Sequence, residues 1–175
     1  MVECDTIRAA SEQEAMTRED LAKMATGVAA ELGVAAGEYS ATLLERGDVA
    51  VLYSIDRWAD HHDEAEMRIA QERLSKFQSR SRIIRETFAD AVKDFDDEMF
   101  DFLYIDGYAH TGQDGGRTLR DWWPKLRSGG IFAGHDYSPQ FQPTIDAVDA
   151  FAAEHGLTIR LTMDDALPSW WTIKP

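Results

Sequence analysis

The chain is poor in the features that mark exported, membrane-bound or polyanion-binding proteins. One cysteine among 175 residues, Cys4, cannot form an internal disulfide, which suits a reducing, cytoplasmic setting. No apolar run approaches the roughly 20 residues needed to span a bilayer. The acidic, helix-like N-terminus has no basic-then-apolar targeting pattern, so no membrane partner is expected. Lysine and arginine number 18 against 32 acids, a formal net charge of −14. That field repels phosphate backbones, and nucleic acid is not expected as a partner. No repeat, low-complexity tract or Pro/Gly/Ser linker divides the chain. Its length suits one domain, residues 1–175, with 1–26 as a helical N-terminal extension. Also missing are the G-x-G-x-x-G fingerprint of dinucleotide sites and the lysine of a P-loop. The one concentration of positive charge, Arg73, Lys76, Arg80, Arg82 and Arg85, reads as a solvated helix face or as an anionic-substrate patch.

What is present is an alternation of strand and helix patterns. A helix over 11–25 has Ser11 as N-cap and Glu14 completing a capping box. Strands are expected at 28–32, 49–55, 81–86, 100–105 and 130–134, with two more at 157–162 and 170–173. Helices are expected at 38–46, at 61–78 with Met67, Ala70, Leu74 and Phe77 inward, and around Phe88, Ala91, Val92 and Phe95. A further helix at 114–127 carries Leu119, Trp122, Trp123 and Leu126, and a last one begins at Pro143. Such alternation implies an α/β fold: a doubly wound, Rossmann-like, seven-stranded and mostly parallel sheet with helices on both faces. The last two strands are separated by too few residues for a helical crossover and should pair antiparallel.

Chemistry-bearing residues fall at the strand ends. Glu31, Gly33 and Gly37 follow the first strand; Gly33 permits a sharp turn and Gly37 a close approach by ligand or helix. Without a glycine-rich pyrophosphate cradle, a ligand with an amino-acid tail fits better than a dinucleotide. Asp56 closes the second strand, where a carboxylate can take both hydroxyls of a ribose. Asp106 with His110 follows the fourth strand, and His135 with Asp136 follows the fifth. Two carboxylates and two imidazoles should therefore converge beyond neighbouring strands. They suit either a divalent cation such as Mg²⁺ on Asp106 and Asp136, or a histidine base for a hydroxyl. Of the tryptophan pairs 122–123 and 170–171, one ring each should lie in the core and the other cover its edge. Trp58 is placed to lie against an adenine or an acceptor, or merely to pack.

Over residues 28–137 the chain resembles the class I S-adenosylmethionine-dependent methyltransferases. It is similar in particular to the bacterial small-molecule and sugar O-methyltransferases of the macrocin type. The resemblance rests on Glu31-Leu32-Gly33 with Gly37, on Tyr104-Ile105-Asp106-Gly107 with His110, on Asp121-Trp122-Trp123-Pro124, and on Gly129 to Tyr137. It implies S-adenosyl-L-methionine as cofactor, held by Glu31, Gly33, Val34, Gly37, Ser40, Asp56, Arg57, Trp58, Thr87, Phe88 and Asp106. It also implies a small-molecule acceptor such as a sugar; for catalysis the residues offer His110 or His135 as the base, with Asp136 orienting it or holding a metal that acidifies the hydroxyl. The metal-dependent relatives imply Mg²⁺ at Asp106 and Asp136. Two departures are visible: the usual middle glycine of the first motif is Ala35, and His135-Asp136 stands where those relatives carry adjacent acid or amide ligands. A lid would have to come from 57–66, 138–144, the N-terminal helix or a second subunit, so a homo-oligomer stays open. The signatures of base N-methylation and carbon-5 methylation are missing. A nicotinamide-dependent oxidoreductase and a non-catalytic nucleoside-binding subunit are the rival readings.

Overall fold

A computed structural model describes residues 16–59, 62–163 and 166–175. Cys4, Ser11 and Glu14 lie outside the described residues. The first described helix, α1 (Arg18–Lys23), is capped by Thr17: its hydroxyl accepts from the Asp20 N–H, and the Asp20 carboxylate accepts from the Thr17 N–H. This reciprocal cap, worth about 1 kcal/mol, starts the helix at a defined residue.

The remaining elements follow in order: β1 (Thr26–Leu32), α2 (Glu38–Arg46), β2 (Asp48–Asp56), α3 (Glu64–Ser75), β3 (Ser81–Arg85) and α4 (Phe88–Ala91). Then come β4 (Phe100–Ile105), α5 (Gly112–Trp122), β5 (Leu126–Gly134), α6 (Gln142–His155), β6 (Arg160–Leu161) and β7 (Trp170–Ile173). The sheet order is β3-β2-β1-β4-β5-β7-β6. The first five strands in that order run parallel, and β7 pairs antiparallel with both β5 and β6. The expected α/β architecture with antiparallel final strands is therefore present.

Strand alternation sorts the core into two layers. Leu103 and Ile105 point with Leu32, Ile55, Phe132 and Trp170 toward one face, under α4, α5 and α6. Phe102 and Tyr104 point with Ala29, Leu52, Ala133 and Trp171 toward the other, under α1 and α2. Period-two alternation of large apolar residues is what a sheet covered on both sides requires. It also corrects the expectation for the last tryptophan pair: Trp170 and Trp171 are both buried, one in each layer. Trp122 and Trp123 behave as expected, the first buried and the second packed partly exposed against it.

Three further expectations change. Helix α3 is shorter than 61–78, since Asp63 caps it by accepting from the Ala65 and Glu66 N–H groups. The 114–127 segment is not a continuous helix. Gln113 to Gly116 hold left-handed backbone with φ between 49° and 81°, and right-handed helix follows. Glycine tolerates that region and Gln113 does not, so the turn is held by its surroundings rather than by local preference. The five cations at 73–85 are spread over α3, a short turn and β3 rather than on one helix face. Arg80 donates to the Val49 and Leu44 carbonyls, and Lys76 pairs with Glu45.

Candidate active site

The order reverses between β1 and β4, the switch point at which an open α/β sheet leaves a crevice beyond its strand ends. Four strands end there in the same manner. The loop after each carries one non-glycine residue with positive φ: Ala35 after β1 (48°), Trp58 after β2 (45°), Tyr108 after β4 (60°) and Asp136 after β5 (61°). Left-handed residues of this kind cluster where backbone is bent around a ligand site.

The β1 loop is built by mutual bracing. Gly33 has φ 93°, and a Cβ there would stand 1.9 Å from the Asp106 carbonyl oxygen, so only glycine lets the β1 and β4 loops close together. The Asp56 carboxylate, almost fully buried, accepts from the Val34 N–H (2.8 Å) and Ala35 N–H (3.1 Å) through one oxygen, and from the Trp58 N–H (3.0 Å) through the other. Trp58 is buried against Val34 and Ala70, and its indole N–H donates to the Ala35 carbonyl at 2.9 Å. Its ring is thus under the loop rather than over the crevice. Gly37 opens α2 in left-handed backbone against Ala70. Ser40 is buried and donates to Glu31 while sharing a 2.8 Å hydrogen bond with Ser54.

The crevice has two lobes that share Gly33, His62 and Asp106. One, of about 410 Å³, is lined by Arg18, Glu31, Val34, Ala35, Ala36 and Tyr39, among others. The other, of about 110 Å³, lies among Asp56, Arg57, Glu86, Thr87, Phe88 and Tyr108. Of the eleven residues expected to hold a cofactor, Glu31, Gly33, Val34, Asp56, Arg57, Thr87, Phe88 and Asp106 line a lobe. Gly37, Ser40 and Trp58 line neither lobe. Phe88 and Tyr108 meet edge to face at 5.0 Å across the smaller lobe.

Electrostatics differ between Glu31 and Asp106, two of the carboxylates of the larger lobe. Glu31 is wholly buried, and burial pushes its carboxyl up to about 8, beyond what the Ser40 hydrogen bond can offset. Asp106 meets the opposite outcome. Burial would raise it, yet bonding to His135 and the charge of Arg18 hold its carboxyl below the usual range. The Arg18 guanidinium reaches it at 2.6 Å from α1 and lies over the Tyr39 ring at 4.1 Å.

Asp106, His135 and Asp136 bring one ligand-type atom each to within 4.8 Å of one another. His135 Nδ1 stands 3.1 Å from Asp136 and 3.5 Å from Asp106. Burial opposes a charged imidazole, but these two carboxylates win and lift it to about 9. His110 is not part of this group: it is exposed, with its ring edge against Phe141 at 5.1 Å. The expected meeting of two imidazoles is therefore a meeting of one imidazole with two carboxylates. The donor set resembles that of a divalent-cation site in type, but not in charge. A metal would have to share Asp106 with a guanidinium already at contact distance. Charges of +2 and +1 about 4 Å apart repel by roughly 8 kcal/mol at an effective dielectric of 20. That repulsion opposes a resident Mg²⁺ at this cluster.

Sequence reasoning missed Arg18. The only signal for it was a cation, one of two with Lys23, in the last helix before the first strand, and nothing local ties it to a loop 88 residues away.

The doubly wound sheet, with β7 antiparallel and a two-lobed crevice at its switch point, is a Rossmann-like methyltransferase fold. The chain belongs to the family described as "Methyltransferase domain", whose model matches residues 30–137. Solved structures share the fold at low identity. A candidate caffeoyl-CoA O-methyltransferase of Staphylococcus aureus is 18% identical with a TM-score of 0.70, covering 89% of this chain and 80% of its own. A candidate methyltransferase of Streptococcus mutans in complex with SAH is 15% identical with a TM-score of 0.64, covering 89% and 93%. A candidate rRNA methylase of Clostridium thermocellum is 14% identical with a TM-score of 0.67, covering 90% and 95%. No curated protein matches the chain. Among the described residues no helix is long and apolar enough to cross a membrane.

Proposed function

We propose that the protein transfers the methyl group of S-adenosylmethionine to a hydroxyl oxygen of a small-molecule acceptor, a sugar being the class that the sequence resemblance favours. The observation that supports this most is His135 between two carboxylates, one of which, Asp106, borders both lobes of the crevice. When bound, the cofactor supplies an electrophilic methyl group on a sulfonium.

The chain's residues divide the remaining work. Glu31, at the floor of the larger lobe, receives the ammonium of the amino-acid tail, with Gly33 and Val34 offering backbone beside it. Asp56 takes the ribose: each of its oxygens has lone pairs left after bonding the loop amides. Arg57, Thr87 and Phe88 border the adenine. Gly37, Ser40 and Trp58 act from behind, Ser40 on Glu31 and Trp58 on the Ala35 carbonyl. Nδ1 of His135 is committed to the carboxylates, so Nε2 accepts the acceptor's proton as the carbon–oxygen bond forms, with Asp136 orienting the ring. His110, on the exposed loop, is the second candidate for that base. A chain of net charge −14 favours a small acceptor over a nucleic acid.

The test is calorimetric titration with S-adenosylhomocysteine, with NADH as control, followed by turnover assays of His135→Ala and His110→Ala. Binding of S-adenosylhomocysteine alone, with turnover lost in the His135 variant, is expected. Binding of NADH instead would overturn the reading, and loss confined to His110→Ala would move the base.

A further inference from the structure

We propose that Arg18 takes the place of a divalent cation at the Asp106–His135–Asp136 cluster, so that the N-terminal helix, and not a metal, supplies the fixed positive charge of the acceptor site. The inference rests on the methyltransferase reading for its setting, but not for its test.

Three observations carry it. The cluster offers three ligand-type atoms within 4.8 Å of one another, the arrangement that would ordinarily draw a cation. One of its carboxylates, Asp106, already has Arg18 Nη2 at 2.6 Å on one oxygen and His135 at 3.5 Å on the other. Finally, the guanidinium is held rather than draped. It lies over Tyr39 at 4.1 Å and within 5.2 Å of the Tyr104 ring, on a helix that buries Leu21 and Ala22 completely and is closed by its own capping box. A planar guanidinium over an aromatic face, paired with a carboxylate, is a preorganised cation. Arg18 is thus a positioning residue for Asp106. Through Asp106 and His135 it sets the charge met by an acceptor.

Manganese serves as the probe, since its free and bound ions are distinguished by electron paramagnetic resonance without cofactor or acceptor. The full chain should take up no stoichiometric Mn²⁺ at millimolar concentration. Arg18→Met, which keeps an apolar stem on Tyr39 while removing the charge, should gain one site per chain, and adding Asp106→Asn should abolish it. Arg18→Lys should restore refusal of the metal. Stoichiometric uptake by the unaltered chain, or none by a folded Arg18→Met variant, would overturn the proposal. Should that variant not fold, the unaltered chain decides alone, uptake refuting and refusal upholding it. Failure of the methyltransferase reading would show separately, as absent S-adenosylhomocysteine binding.

Discussion

Glu31 offers the sharpest test of the site's electrostatics, because burial and the proposed ammonium contact pull on it in opposite directions. Its carboxyl is raised from 4.5 to about 8. An acid with a raised pKa binds its proton more tightly in the folded chain than in the unfolded one. It therefore lends full stability below the unfolded value, loses it as pH rises, and adds nothing further to the loss above the folded value. The slope is roughly 1.4 kcal/mol per pH unit inside that window. Between pH 6 and pH 8 the chain should lose about 2 kcal/mol from this group alone. Glu31→Gln keeps a neutral side chain of nearly the same shape and removes the titration. Urea unfolding of both proteins across this range should show stabilities that diverge by that amount, the glutamine variant gaining with pH. Ligand binding should report the same group from the other side. An ammonium placed against Glu31 drives its ionisation, so S-adenosylhomocysteine binding near pH 7 should release a proton. Calorimetry in buffers of different ionisation enthalpy measures that release, and Glu31→Gln should lack it. A stability difference that does not change with pH, together with no proton release, would refute the burial argument.

Asp56→Asn should destabilise the fold by about 2–4 kcal/mol, because an amide cannot accept from all three loop N–H groups that the carboxylate now satisfies. Chemical denaturation measures the loss, and S-adenosylhomocysteine affinity should fall with it; unchanged stability would remove the bracing role. Ala35→Gly should leave stability unchanged or raise it by up to about 1 kcal/mol, since φ 48° strains alanine but not glycine. A clear loss in thermal unfolding would contradict this. If His135 is the base, kcat at saturating cofactor should climb with pH, reach half its maximum near 9 and level off only above that, as the imidazole becomes neutral. A flat profile would exclude it.

The layout of elements was legible because it depends on short-range pattern. Strand β4 and helix α2 have the bounds that alternation and helical spacing gave, 100–105 and 38–46, and the acids at the strand ends follow from where apolar runs stop. Bounds drifted where local signals are weak. Strand β6 covers only Arg160–Leu161 of the expected 157–162, and α3 waits for its Asp63 cap. The left-handed turn at Gln113–Gly116 had no readable signature, since Gly115 and Gly116 permit it but nothing local demands it.

Sequence alone determined the class of ligand crevice: a glycine at Gly33, acids at 31, 56 and 106, and strands that must bury both faces. These follow from backbone sterics and periodicity, which act over a few residues. Tertiary structure decided what each group is free to do. It turned Trp58 under the loop, committed Asp56 to three amides, sent His110 to the surface against Phe141, and brought Arg18 onto Asp106. The physical reason is that burial and opposite charge fix a group's protonation and partners. Both depend on residues far away in the chain, which no local pattern encodes.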